Sequence, residues 1–263
     1  MRLRGLRLAT QFLTRLPVPG VDDFSTQELS RSGAWFPLVG VVVGIVVALV
    51  LELTLGHGAP LAATLAILAW VWVTGALHLD GLGDLADALA ASHRDPRRFL
   101  TVLADPHLGT FGVVSVVLAL LLKAAALTNL HGLSLTAIPL ITAWARLGPL
   151  AWSRWLRPLK PGQGERFAWS PHTGWIIFWT IVLLFASAAV APILCAGPVV
   201  LLAWGAWLKI RLGGMTGDCL GAGVEVAEVA LVVLLALAGT TGAPLAAAVP
   251  LAAAWISPSA AFF

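Results

Sequence analysis

The segment His78-Leu79-Asp80-Gly81-Leu82-Gly83-Asp84-Leu85-Ala86-Asp87 spaces three carboxylates four and three residues apart. On a helix, positions i, i+4 and i+7 share one face, so this spacing predicts three acids pointing the same way. Like charges that close repel unless a cation lies between them. The intervening Leu82, Leu85 and Ala86 are apolar, and no lysine stands at i+4 to support the helix as an ordinary solvated face. The set reads as ligands for a hard divalent ion. Carboxylate oxygens without cysteine suit Mg²⁺ or Mn²⁺, and Mg²⁺ shares its shell with waters and phosphate oxygens.

A second constellation is Gly213-Gly214-Met215-Thr216-Gly217-Asp218-Cys219-Leu220-Gly221-Ala222-Gly223, followed by Glu225 and Glu228. Glycines let a backbone approach a ligand, and successive N–H groups in such a turn form an anion-binding concavity. Gly213, Gly214, Thr216, Gly217 and Gly221 are therefore expected at phosphate, with Asp218 adding a metal ligand. The plain alternative is a glycine-rich turn between two membrane helices, with Glu225 and Glu228 as first-turn acids favoured by the helix dipole. A third element, Asp105-Pro106-His107-Leu108-Gly109-Thr110, opens an apolar run. Asp105 is expected to cap that helix, whose N–H groups also offer an anion site. Arg146 stands inside an apolar run and is expected to pair with an acid or a phosphate. Lys123, also within a run, is expected to snorkel to the outer interface. His78, His93 and His107 lie near the acids, and satisfied polar packing is the simpler reading of each.

Those residues need elements to carry them, and composition says which. Of 263 residues, 59% are hydrophobic and 11% charged, and mean hydropathy is +0.92. A soluble domain carries about one-quarter charged residues, so the chain is expected to be an all-α, polytopic integral membrane bundle in contact with the lipid bilayer. Eight spans are predicted, at 34–55, 60–79, 107–128, 133–152, 174–194, 197–212, 225–239 and 243–257, with a short interfacial helix in the first twenty residues. Arginine and lysine populate alternate connections: Arg2 to Arg31, Arg94 to Arg98, Arg154 to Arg166, and Lys209 with Arg211. The positive-inside rule puts these, both termini and both acidic loops on the cytoplasmic side. The net charge of +3 is thus an orientation signal and not a nucleic-acid surface. Two cysteines give neither metal-ligand spacing nor a disulfide framework.

Leu13-Thr14-Arg15-Leu16-Pro17-Val18-Pro19, the Asp80–Asp87 cluster, Asp105 with Gly109-Thr110-Phe111-Gly112, and Gly213 to Ala222 with Glu225 resemble, in order and over nearly the full length, the cobalamin synthase family. The resemblance implies a multi-pass enzyme of the bacterial inner membrane whose active site faces the cytoplasm. Such enzymes join adenosylcobinamide-GDP to α-ribazole or α-ribazole 5′-phosphate, release GMP and require Mg²⁺. It implies Mg²⁺ held by Asp80, Asp84, Asp87 and Asp218, a proton acceptor in Asp87 or Glu225, and phosphate contacts or acid pairing by Arg15 and Arg146. The third family motif reads Asp-Ser-Arg-x-Gly-Thr, whereas Pro106 and His107 follow Asp105 here, so a protonated His107 would replace an arginine at phosphate. Ala88 also stands where glycine is common. Oligomer and monomer both stay open. Two competing readings are a CDP-alcohol phosphatidyltransferase and an ion-coupled transporter. The first wants alanine and arginine where Asp84 and Leu85 stand; the second wants midplane acids in repeated halves.

Overall fold

The computed structural model describes residues 2–92, 95–162 and 173–241, and among these the protein is all helical. Eleven α-helices follow in order: α1 Arg2–Leu13, α2 Thr26–Ser32, α3 Phe36–Thr54, α4 Ala59–Thr74, α5 Leu77–Ser92, α6 Pro96–Val102, α7 Thr110–Leu127, α8 Ile138–Trp155, α9 Thr173–Val190, α10 Gly197–Arg211 and α11 Gly217–Thr241. Among the described residues, five stretches are long and apolar enough to cross a membrane: Thr26–His57, Thr110–Leu127, Thr173–Val190, Pro192–Arg211 and Gly217–Gly239. A sixth arises if α4 and α5, bent by 88° at their junction, count as one. Expected span 243–257 lies outside the described residues.

Three expected spans take a different form. The one at 60–79 breaks at Gly75 and Ala76, which are both left-handed at φ 62° and 60°. The acids after the break therefore belong to a separate helix that leaves the line of α4. The span at 133–152 starts with a 3₁₀ turn, Gly132–Ala137, and its helix α8 is not among the five. That helix is enclosed on all sides, so protein and not lipid satisfies its surface, and Arg146 is tolerated. The span at 225–239 starts eight residues earlier: Gly217 to Val224 are the first turns of α11 and not a loop.

Small residues set the spacing between helices. A Cβ on Gly40 would lie 2.5 Å from the Thr142 carbonyl oxygen and 2.8 Å from Ala143 Cα, so α3 and α8 touch backbone to backbone. Gly44, one turn on, meets Pro139 in the same way. This is the small-xxx-small packing by which membrane helices associate where the hydrophobic effect gives no help. Phe12 of α1 stacks on Phe36 of α3 with centroids 5.9 Å apart, which fastens the N-terminal helix to the bundle.

Candidate active site

The acids reach their place through the α4–α5 break. Gly75 donates its N–H to the Trp72 carbonyl and Ala76 to Val71, which ends α4 on a left-handed turn. Arg15 reinforces the corner: its N–H donates to the Val73 carbonyl at 2.7 Å, and its side chain lies against the bare Cα of Gly75. Beyond the corner, α5 closes on α11. A Cβ on Gly81 would stand 2.9 Å from the Asp218 carbonyl oxygen and 3.3 Å from the Ala222 nitrogen. Only a hydrogen fits there. The contact brings Asp80 and Asp218 to the rim of one cavity of about 280 Å³, lined also by His78, Lys160, Gly217 and Gly221. Acids far apart in sequence are thus gathered on one site.

The expected metal ligands do not share one environment. Asp84, one turn beyond Asp80 on α5, is partly buried. Burial first, then the charges of Asp80, Asp218 and Asp87, lift its carboxyl from 3.8 to about 6. Asp218 faces Lys160 at 3.3 Å and accepts a 3.2 Å hydrogen bond from the Thr216 hydroxyl. Asp87 is taken up elsewhere: its two oxygens accept the N–H groups of Gly109 at 2.6 Å and Gly112 at 2.9 Å. It caps α7 from another helix, the role expected of Asp105. Asp105 instead turns back on its own loop, where Oδ1 accepts the His107 N–H at 3.0 Å and faces His107 Nδ1 at 2.7 Å. Those two bonds hold its carboxyl below the usual range, and both side chains are exposed.

The glycine-rich segment divides in two. Gly213, left-handed at φ 71°, and Gly214 form a turn clasped to the chain after α8: Met215 N–H donates to the Arg157 carbonyl and Leu159 N–H to Met215, each at 2.9 Å. Gly214 packs against Arg157 too closely for any side chain. Thr216 then caps α11 by accepting the Cys219 N–H, and Gly217 and Gly221 lie on the helix itself. The clasp carries Lys160 to Asp218. The sequence reading treats Lys160 as an orientation charge alone, and nothing short of the clasp, a long-range pairing, would place it at the cavity.

Glu225 stands two turns into α11, off the cavity wall. It is buried, with its carboxylate 2.6 Å from Lys123 Nζ. Lys123 also meets Glu228 at 2.7 Å and lies 4.3 Å over the Trp70 ring, so it does not snorkel. Arg146 pairs with an acid, Glu228, at 2.5 Å. Two cations thus balance two anions deep among α7, α8 and α11, where an unpaired charge would be expensive. Neither Arg146 nor Arg15 lines the cavity. His93 lies outside the described residues.

Among the described residues, no three His, Cys, Asp or Glu side chains close up tightly enough to hold a metal unaided. The donors nonetheless fit Mg²⁺ in kind. Asp80, Asp84 and Asp218 are hard oxygen ligands, and burial and the neighbouring acids penalise the charged form of Asp84. Mg²⁺ needs only one or two of them when phosphate oxygens complete its shell.

The chain matches the family model described as cobalamin-5-phosphate synthase over residues 5–238. It is 48% identical over 238 residues to a protein of Thiobacillus denitrificans, covering 88% of this chain and 94% of that one. It is 49% identical over 249 residues to one of Laribacter hongkongensis, covering 93% and 100%. With a protein of Novosphingobium aromaticivorans the figure is 43% over 244 residues, covering 90% and 98%. Each of the three is named adenosylcobinamide-GDP ribazoletransferase. No solved structure gives a significant match.

Proposed function

The chain belongs to the cobalamin-5-phosphate synthase family, and on that basis we propose that it is an adenosylcobinamide-GDP ribazoletransferase. A ribose hydroxyl of α-ribazole, or of its 5′-phosphate, attacks the cobinamide-bearing phosphorus of adenosylcobinamide-GDP. The bond between the two phosphates breaks, GMP leaves, and adenosylcobalamin or its 5′-phosphate forms. The observation that carries this reading is the convergence of Asp80 and Asp218, from distant helices, on one cavity beside Lys160.

Such a transfer needs positioning and charge neutralisation more than covalent help from the protein. Asp80, Asp84 and Asp218 are the residues that would hold Mg²⁺, which when bound neutralises the diphosphate and the charge growing on the departing GMP oxygen. Lys160 adds a cation at the same rim, and its pairing with Asp218 keeps both side chains in place until substrate arrives. Asp87 acts one step removed. By fixing the start of α7 it holds α5 in register, and it leaves the ligand set to the other three. Glu225 likewise holds helices together and is not the proton acceptor. Whichever of Asp80, Asp84 and Asp218 is left off the metal would take the ribose proton.

Eight crossings, with residues 243–257 as the last, would put the starts of α7 and α11, the basic connections and the cavity mouth on the cytoplasmic side of the bacterial inner membrane. The test is GMP release by the purified protein in liposomes, from adenosylcobinamide-GDP and α-ribazole with Mg²⁺ and no ion gradient. Turnover that vanishes with a chelator and returns with Mg²⁺ is the expected result. Undiminished turnover after Asp80→Ala or Asp218→Ala would remove the site from the reaction.

A further inference from the structure

The cavity between α1, α3, α5 and α11 is mixed in its chemistry. Its lining combines the polar side chains of Asp80, Asp218, Lys160 and His78 with the apolar ones of Phe12, Phe36, Leu77, Leu220 and Val224. Two of the apolar members form the stacked aromatic pair of α1 and α3. At about 280 Å³ the space is near the lower end of ligand cavities, on the order of 300–1,000 Å³. It suits a nucleoside and is several times too small for a corrinoid.

Two nucleosides take part in the proposed reaction, and the wall discriminates between them. Guanine carries a polar edge of a carbonyl, a ring N–H and an amino group. Burying that edge against Leu220 and Val224 would strand its hydrogen-bonding groups, a penalty a hydrocarbon rim does not carry. The base of α-ribazole is a dimethylated benzimidazole. Its only exposed polar atom is one ring nitrogen, and the rest of its rim is hydrocarbon. Burial of that rim against apolar side chains is favourable.

We propose that this cavity is the acceptor subsite. It receives α-ribazole with the benzimidazole against Phe12, Leu77, Leu220 and Val224 and the ribose turned to Asp80, Asp218 and Lys160. The corrinoid and the guanosine diphosphate stay outside the cavity. The assignment rests on the ribazoletransferase reading and goes beyond it by dividing the two substrates between an enclosed and an open region. It also gives α1 a part in recognition, because Phe12 and Leu13 contribute to the lining.

The test uses the unaltered full chain in liposomes. Free 5,6-dimethylbenzimidazole is expected to inhibit competitively against α-ribazole and not against adenosylcobinamide-GDP. GMP is expected to compete with adenosylcobinamide-GDP alone. Leu77→Trp, at a half-exposed position on the wall, is expected to raise KM for α-ribazole tenfold or more while KM for adenosylcobinamide-GDP moves less than twofold. The opposite pattern, with dimethylbenzimidazole competing against adenosylcobinamide-GDP or Leu77→Trp raising only that KM, would overturn the subsite and leave the transferase reading standing. Equal effects on both constants would also overturn it. A parent protein that releases no GMP from the substrate pair would instead overturn the transferase reading itself.

Discussion

Replacing Lys123 by methionine removes the cation in direct contact with Glu225, while Glu228 keeps Arg146 at 2.5 Å. The variant holds one buried carboxylate that has lost its contact cation. Removing one partner of a buried pair costs about 3–5 kcal/mol. The carboxylate has an escape, which is to take up a proton, and for an ordinary glutamate at pH 7 that costs about 4 kcal/mol. The lower of these two routes governs, so the expected loss is about 3–4 kcal/mol. For a chain of this size that corresponds to a fall in unfolding midpoint of roughly 6–16 °C. The loss should shrink as pH falls toward 5, because protonation becomes cheaper. The double variant Lys123→Met/Glu225→Gln restores neutrality and should regain more than half of it. Thermal unfolding in detergent, followed by tryptophan fluorescence, reads all three proteins. A double variant as unstable as the single one would refute the electrostatic account. A Glu225→Gln protein that folds normally but releases no GMP would return Glu225 to the chemistry.

Gly81→Val should spare folding better than it spares activity: its side chain meets the Asp218 backbone, so GMP release is expected to fall on the order of 100-fold, as for about 1 Å of misplacement. A near-normal rate would mean that the α5–α11 contact does not position the acids. Ala76→Gly relieves a left-handed alanine and should raise stability by about 1 kcal/mol, measured as a higher unfolding midpoint. A lower midpoint would show that the corner is not strained. Asp80→Asn should bring the raised Asp84 carboxyl part of the way down from about 6, since burial is its larger cause and Asp80 the next. Infrared titration of the carboxylate bands checks this, and no movement would separate the two acids.

Much of the site is legible in the sequence because it is written in local spacing. The i, i+4, i+7 acids fall on a helix, as the spacing requires, and the glycines around Asp218 mark a place of close approach. What they approach is not legible. Glycine permits a phosphate cradle and a tight helix contact equally, and Gly221 serves the helix contact because α5 happens to pack there. Asp87 and Lys123 are misjudged for the same reason. Each is satisfied by a partner more than twenty residues away, Gly109 and Gly112 for one and Glu225 and Glu228 for the other, and no local pattern announces such a pairing. The break at Gly75–Ala76 is hidden because alanine in a left-handed corner looks like helix. The aromatic half of the cavity is invisible too, since Phe12 and Phe36 belong to separate apolar faces until the chain folds.

The separation of the two acid-bearing helices at Gly81 is fixed by main chain meeting main chain. Such a ruler has no adjustable length. Apolar neighbours can be exchanged during evolution, and lipids can jostle the outer surface, without retuning the gap between Asp80 and Asp218. The cost of that constancy is brittleness at a single point: one added methyl group moves the whole gauge, and no compensating side chain elsewhere can shorten it again.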